Sequence, residues 1–330
     1  MAAVLSISRP PGSRRRRAAL ARWRLLLLAL AAVLPPGAAV ATTAVILNSD
    51  DDSLSIIDGA SYRETSRYHI GRAPHHLILT PDNGDLIVAL ATGNELAFIE
   101  RRSGMVRQRL AISDPYHLGF SPDGKWFVTC SLRLARIDVY DAASYRLVHR
   151  LPAWSMPSHM GFAPDGSAVY ITLQGSNALI AIELASGRML WTVTIGRQPA
   201  GVAVRPSGTI LAAIMGSDHF VEVDPRDGTI LRRVQTARGT HNFLVSPDGK
   251  TLYVSNRVAG SISVLNAETL AITGTILAPG GPDDMALSSD GSELWVTGRF
   301  RHLVNVIDLP SGILKATVPV GRSPHGIFLY

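Results

Sequence analysis

The chain has 330 residues, 46% of them apolar and 6% aromatic, with 29 glycines and 20 prolines, a turn-rich composition that argues against a helical bundle. Its formal charge of +6 resides in residues 1–41, which carry seven arginines and no acid, so the remainder comes to −1 and lacks the net basic footprint of a nucleic-acid-binding domain. The single cysteine, Cys130, excludes an intrachain disulfide, a CxxC redox pair and a CxxCH haem attachment.

Residues 1–41 read as a secretory signal peptide. Arg9, Arg14 to Arg17, Arg22 and Arg24 precede the apolar run Leu25–Leu34, and Ala39-Val40-Ala41 offers a small-x-small cleavage site. That run is shorter than the roughly 20 residues a bilayer-spanning helix needs. The sequence therefore predicts a periplasmic or secreted protein, exported by the Sec or the twin-arginine route, that does not span a membrane.

From residue 42 onward a repeat sets the organisation. Pro-Asp-Gly-like turns recur at Pro81, Pro122, Pro164, Pro206, Pro247 and Ser289, always 41 or 42 residues apart. A second column at Asp58, Glu100, Asp141, Glu183, Asp224, Asn266 and Asp308 keeps the same step. Read from Gly239, one unit supplies four short segments: GTHNFLV before the turn, TLYVSNR after it, SISVLN up to the second column, and AITGTIL beyond. β-Branched and aromatic residues at strand spacing, punctuated by Pro, Asp and Gly, make these four antiparallel strands. Four strands in about 42 residues is one propeller blade. Second-strand segments begin at Ala44, Leu86, Trp126, Val169, Leu211, Leu252 and Leu294, which gives seven blades. The chain enters on a second strand and ends, at His325 to Tyr330, on a first strand. The fold class is therefore an all-β, seven-bladed propeller over residues 42–330. Its ring closes where the C-terminal strand pairs into the N-terminal blade, which removes a free edge. Cys130, inside the apolar stretch Trp126–Cys130, reads as a buried structural thiol.

The segments LYVSN (Leu252–Asn256), WVTG (Trp295–Gly298), the SPDG turns and VGRSPHG (Val320–Gly326) resemble the YVTN-type β-propeller repeat family across nearly all of residues 42–330. That resemblance implies the fold and leaves the chemistry open, because lactonases, cofactor-binding domains and surface proteins share it.

The histidines carry the functional signal. Five positions before each turn anchor stand His76, His117, His159, Gly201, Asn242, Asp284 and Gly326; one position earlier stand His75, Tyr116, Ser158, Ala200, His241, Asp283 and His325. These are the starts of the inner strands, which deliver side chains to one mouth of the central channel. His76, His117 and His159 from consecutive blades form a candidate metal set. Asp283, Asp284, His75, His241 and His325 stand ready as further ligands or supports. Strand alternation predicts that His75 and His76 point in opposite directions. Arg72, Arg197 and Arg322 occupy matching Gly-Arg-x-Pro-like positions near that face, suited to an anionic ligand. The His75-His76 pair is similar to the start of an inner strand in nitrous oxide reductase, which implies copper. Haem d1 propellers imply a tetrapyrrole over a His- and Arg-lined mouth. No GxSxG, HExxH or P-loop motif is present. The expectation is an exported binding or scaffold protein that recognises a partner or a small anionic or metal-containing ligand at this mouth. The alternatives are a metal- or haem-dependent oxidoreductase, a cofactor-assembly accessory protein, or a lactonase-like hydrolase drawing on Asp283 or Asp284.

Overall fold

A computed structural model describes residues 42–152 and 155–330; the signal-peptide reading of residues 1–41 lies outside the described residues. Seven four-stranded antiparallel sheets form the ring. Blade 1 takes its inner strand from the C-terminus, Pro324–Leu329, and continues outward through Thr43–Asn48, Ser53–Asp58 and Arg63–His69. The inner strands of blades 2 to 7 are Pro74–Leu79, His117–Phe120, Pro157–Phe162, Pro199–Val204, Thr240–Val245 and Pro282–Leu287, and inner strands of neighbouring blades pack on one another. Among the described residues no helix is long and apolar enough to cross a membrane.

Local chemistry accounts for each blade. In the inner turns the amide of Gly124 donates to Ser121 O at 2.9 Å and that of Gly249 to Ser246 O at 2.9 Å, while the Asp123 and Asp248 side chains accept from the same two serines at 2.6 Å. Gly124 and Gly249 both have φ +71°, and a side chain there would meet nothing, so backbone conformation alone demands glycine. The acidic column works on the outer turns: Asp58, Asp141 and Asp308 accept the amides of Ser61, Ser144 and Ser311 at 3.0, 2.9 and 3.0 Å.

Strands two and three are buried and the outer strands alternate, so the core consists of apolar seams between blades. Cys130 lies fully buried in the seam of blades 3 and 4 with Val128, Met160 and Ile171, and burial raises its thiol pKa. A polar tie reinforces the seam of blades 7 and 1. Buried Glu293 accepts from Tyr62 Oη at 2.5 Å, Lys315 Nζ at 2.7 Å and Trp295 Nε1 at 2.9 Å. Glu293→Ala strands the fully buried Trp295 N–H and one end of the lysine pair. The expected loss is about 2–3 kcal/mol, read as a lower midpoint in guanidinium denaturation.

Candidate metal and anion site at the channel mouth

Six of the seven inner strands enter the channel through a bulge; that of blade 3, His117–Phe120, pairs in unbroken register. In blade 2 the register passes from Pro74 opposite Leu90 to Leu77 opposite Val88, so His75 and His76 together face a single partner residue. Equivalent bulges follow Pro157, Pro199, Thr240 and Pro282, and one lies where Pro324 opposes Asn48. A bulge re-aims side chains that alternation would send to opposite faces. This corrects the alternation expectation: His75 and His76 lie side by side, Nδ1 to Nδ1 2.8 Å.

Second-strand hydroxyls hold the bulges. Thr172 Oγ1 donates to Ala200 O in the next blade at 2.7 Å, and Ser255 Oγ donates to Asp283 O at 3.0 Å. Thr297 Oγ1 accepts the Asp284 amide at 3.0 Å. The Ser or Thr of the LYVSN and WVTG segments thereby positions functional side chains, which its place inside a strand did not reveal.

Six imidazoles meet at the axis. The His75 ring lies 3.8 Å from that of His325 and 4.0 Å from Tyr116, centroid to centroid. His76 lies 4.2, 4.5 and 5.2 Å from His117, His325 and His159. His241 completes the circuit, 5.5 Å from His159 and 6.4 Å from His325. Every blade but the fifth, with Ala200 and Gly201, adds a polar or ring side chain here. His75, His76 and His325 present ring nitrogens that all lie within 4.8 Å of one another. His117 and His159 stand directly behind His76, so the three-histidine set read from consecutive blades shares one of its members with this tighter group.

The carboxylates stand on the blade 7 side. Asp283 Oδ2 accepts from Arg257 Nη2 at 2.5 Å and Arg299 Nη1 at 3.1 Å and lies 3.6 Å from His325 Nε2. Asp284 Oδ1 accepts from Asn242 Nδ2 at 2.6 Å, and its Oδ2 lies 3.4 Å from His325 Nδ1. Asp283 Oδ1 sits 2.9 Å from His241 Nδ1, yet the two are misaligned and neither has a hydrogen-bond partner.

Burial holds His75, His76 and His159 far below the ordinary imidazole range, lowers His241, and brings His117 down to about 4. Burial also pushes Tyr116 up to about 12. For Asp283 burial opposes ionisation, but His325, His241 and Arg257 outweigh it and hold the carboxyl well below its usual range. The mouth thus sets His75, His76 and His159, whose burial favours the neutral ring, beside a carboxylate, Asp283, held in its ionised form. Among the described residues, eight of the eleven buried side-chain polar atoms without a partner belong to this site: His76 Nε2, His117 Nδ1, His159 Nε2, His241 Nδ1, Arg257 Nε, Asp283 Oδ1 and both nitrogens of His325. Such atoms are rare in folded proteins, and here they are concentrated at one place.

Arg72, Arg197 and Arg322 lie exposed on the rim, outside this cluster, and Arg322 is tied to Asp51 at 2.5 Å. The guanidiniums that reach the site are Arg257 and Arg299. Both follow a second strand directly, 42 residues apart, at the position Met215 takes in blade 5, in the loops that the sequence places on this face.

Comparison with known proteins agrees on architecture. A stretch of 75 residues is 37% identical to an uncharacterized YncE protein of Salmonella typhi, covering 23% of this chain and 21% of that protein. A functionally unknown protein from Desulfotomaculum acetoxidans superposes with a TM-score of 0.74 at 17% identity, over 87% of this chain and 98% of that one. A putative 6-phosphogluconolactonase from Bacteroides fragilis does so at 0.70 and 16%, over 90% and 100%. At those identities the structural matches establish the fold alone. With the YNCE-like beta-propeller family model matching residues 25–330, the chain belongs to that family.

Proposed function

We propose that this chain is an exported binding protein whose channel mouth holds a transition-metal ion on imidazoles. The observation that carries the reading is the buried trio His75, His76 and His325, with ligand nitrogens within 4.8 Å of one another. A nitrogen-bound ion of this class sits about 2.0–2.1 Å from each ligand. Imidazole donors suit copper, zinc, nickel or iron and disfavour magnesium and calcium. Metal binding requires unprotonated rings, and burial favours that form in His75 and His76. Asp283 and Asp284 supply negative charge beside the trio. The acid-free, arginine-rich leader supports export.

The test uses chelator-stripped protein titrated with Cu(II) and with Zn(II). Bound metal is counted by elemental analysis after dialysis, and stability is followed by thermal denaturation. One ion binding at a hundredfold excess over its Kd adds about 2.7 kcal/mol of stability. His325→Ala and His76→Ala are expected to abolish both signals. Metal content at the level of a buffer blank, or undiminished binding by both variants, rejects the reading.

A further inference from the structure

The mouth has a side chamber. Over blades 6 and 7 an open hollow of about 380 Å³ is lined by Arg257, Val258, Leu277, Pro279, Phe300 and Arg301, together with small residues. Val258, Phe300 and Leu277 are 59%, 59% and 68% exposed, an unusual gathering of solvated apolar side chains at one spot. Phe300 is seated rather than loose: a side chain on Gly281, at φ +78°, would lie 2.3 Å from its ring, so the glycine leaves the backbone open for the aromatic to lie against. Arg257 lies 5.9 Å from the centroid of the same ring.

The guanidiniums keep unused donors. Each arginine carries five N–H groups. Arg257 gives Nη2 to Asp283 and Nη1 to the Met215 sulfur, while its Nε is buried and unpartnered. Arg301 is exposed and, among the described residues, its side chain has no ion pair or hydrogen bond. Of the charged residues lining the hollow both are arginines and none is an acid. A cationic end beside an apolar floor, with a volume in the range of small-molecule sites, matches one ligand class.

We infer that this hollow binds a small organic carboxylate, its carboxylate met by Arg257 and Arg301 and its apolar body lying on Phe300, Val258 and Leu277. Through Arg257 the hollow adjoins Asp283, which lies 3.6 Å from His325 Nε2, so a ligand seated there stands next to the imidazole cluster. The inference rests on reading the mouth as a binding site and does not require the ion.

The experiment titrates chelator-stripped protein with 4-phenylbutyrate, 4-phenylbutanol and acetate in a calorimeter. The expected result is saturable binding of 4-phenylbutyrate, with the alcohol and acetate each weaker by roughly tenfold or more. Arg301→Gln and Phe300→Ala change exposed side chains and leave the six histidines intact; each is expected to weaken 4-phenylbutyrate several-fold. Equal binding of acid and alcohol, absence of saturation, or full affinity in both variants overturns the inference. Metal titration of the same two variants separates the readings: retained metal with lost carboxylate binding fails neither, whereas retained metal with no carboxylate binding in the unaltered protein fails this one alone.

Discussion

Deleting Pro324–Tyr330 is expected to abolish cooperative folding, and moving the same seven residues to the other end of the chain is expected to restore it. The C-terminal strand is the inner strand of blade 1 and packs two seams at once. Ile327 and Leu329 lie against Ala44, Ile46 and Trp295, while Phe328 and Tyr330 lie against Val45, Leu47 and Leu86. All four side chains are partly buried, so each contributes at most about 1.5–3 kcal/mol. Even about half of that, summed over four side chains, is a large share of the stability of an ordinary domain, about 5–15 kcal/mol. Deletion also exposes the backbone edge of Thr43–Asn48 and breaks the bonds between Thr43 and Tyr330, at 2.9 and 3.1 Å. Tyr330 and Thr43 stand where Ser121 and Trp126 stand in blade 3, so a Pro-Asp-Gly-Lys turn placed between a relocated Pro324–Tyr330 and Thr43 rebuilds that blade's hairpin. Circular dichroism melts of the two variants give the readout. A truncated protein that still melts cooperatively near the parent midpoint refutes the role of this strand, and a relocated strand that fails to restore folding refutes the geometry.

The same duplicated hairpin explains what could be read before any coordinates. Blade number and closure follow from counting turns and second strands, since each Asp-Gly turn and each column acid acts within its own few residues. Convergence of the histidines follows from their common register, because equivalent positions in a ring must share an axis. The bulges have no comparable local signature: the residue facing His75 and His76 is an ordinary alanine, Ala89, between the paired positions Val88 and Leu90. The trio His75, His76 and His325 also depends on His325, which reaches the cluster only through closure of the ring, whereas consecutive blades point to His117 and His159. The arginines divide similarly. Arg72, Arg197 and Arg322 share a conspicuous repeated phrase but lie on the rim, while Arg257 and Arg299 are drawn inward by a single buried carboxylate, Asp283. Local patterns identify elements; which charge a loop side chain finds is decided by the neighbouring blade.

The metal-free protein is expected to lose stability steeply between pH 6.5 and pH 4, well before its carboxylates titrate. His75, His76, His117, His159 and His241 all have pKa values below that of an exposed imidazole, chiefly through burial, with Arg257 and neighbouring rings adding to the effect in individual cases. Above about pH 6.5 these rings are neutral in both folded and unfolded chains and cost nothing. Below it the unfolded chain takes up protons that the folded chain excludes, so each histidine withdraws up to about 1.4 kcal/mol of stability per pH unit. For His117 the withdrawal stops growing near pH 4, where the folded ring itself is protonated. Asp283 works in the opposite sense: with His325, His241 and Arg257 outweighing burial, its depressed pKa supports folding above the ordinary carboxylate range and surrenders that support only at lower pH. Two histidines alone would therefore remove about 4 kcal/mol between pH 6.5 and pH 5. Urea denaturation in chelator at half-unit pH steps measures this slope directly, and His76→Asn combined with His159→Asn, which cannot titrate, should flatten it by their share. A stability profile level from pH 7.5 to pH 5, or one unaltered by that double substitution, shows that these rings reach solvent and exchange protons freely.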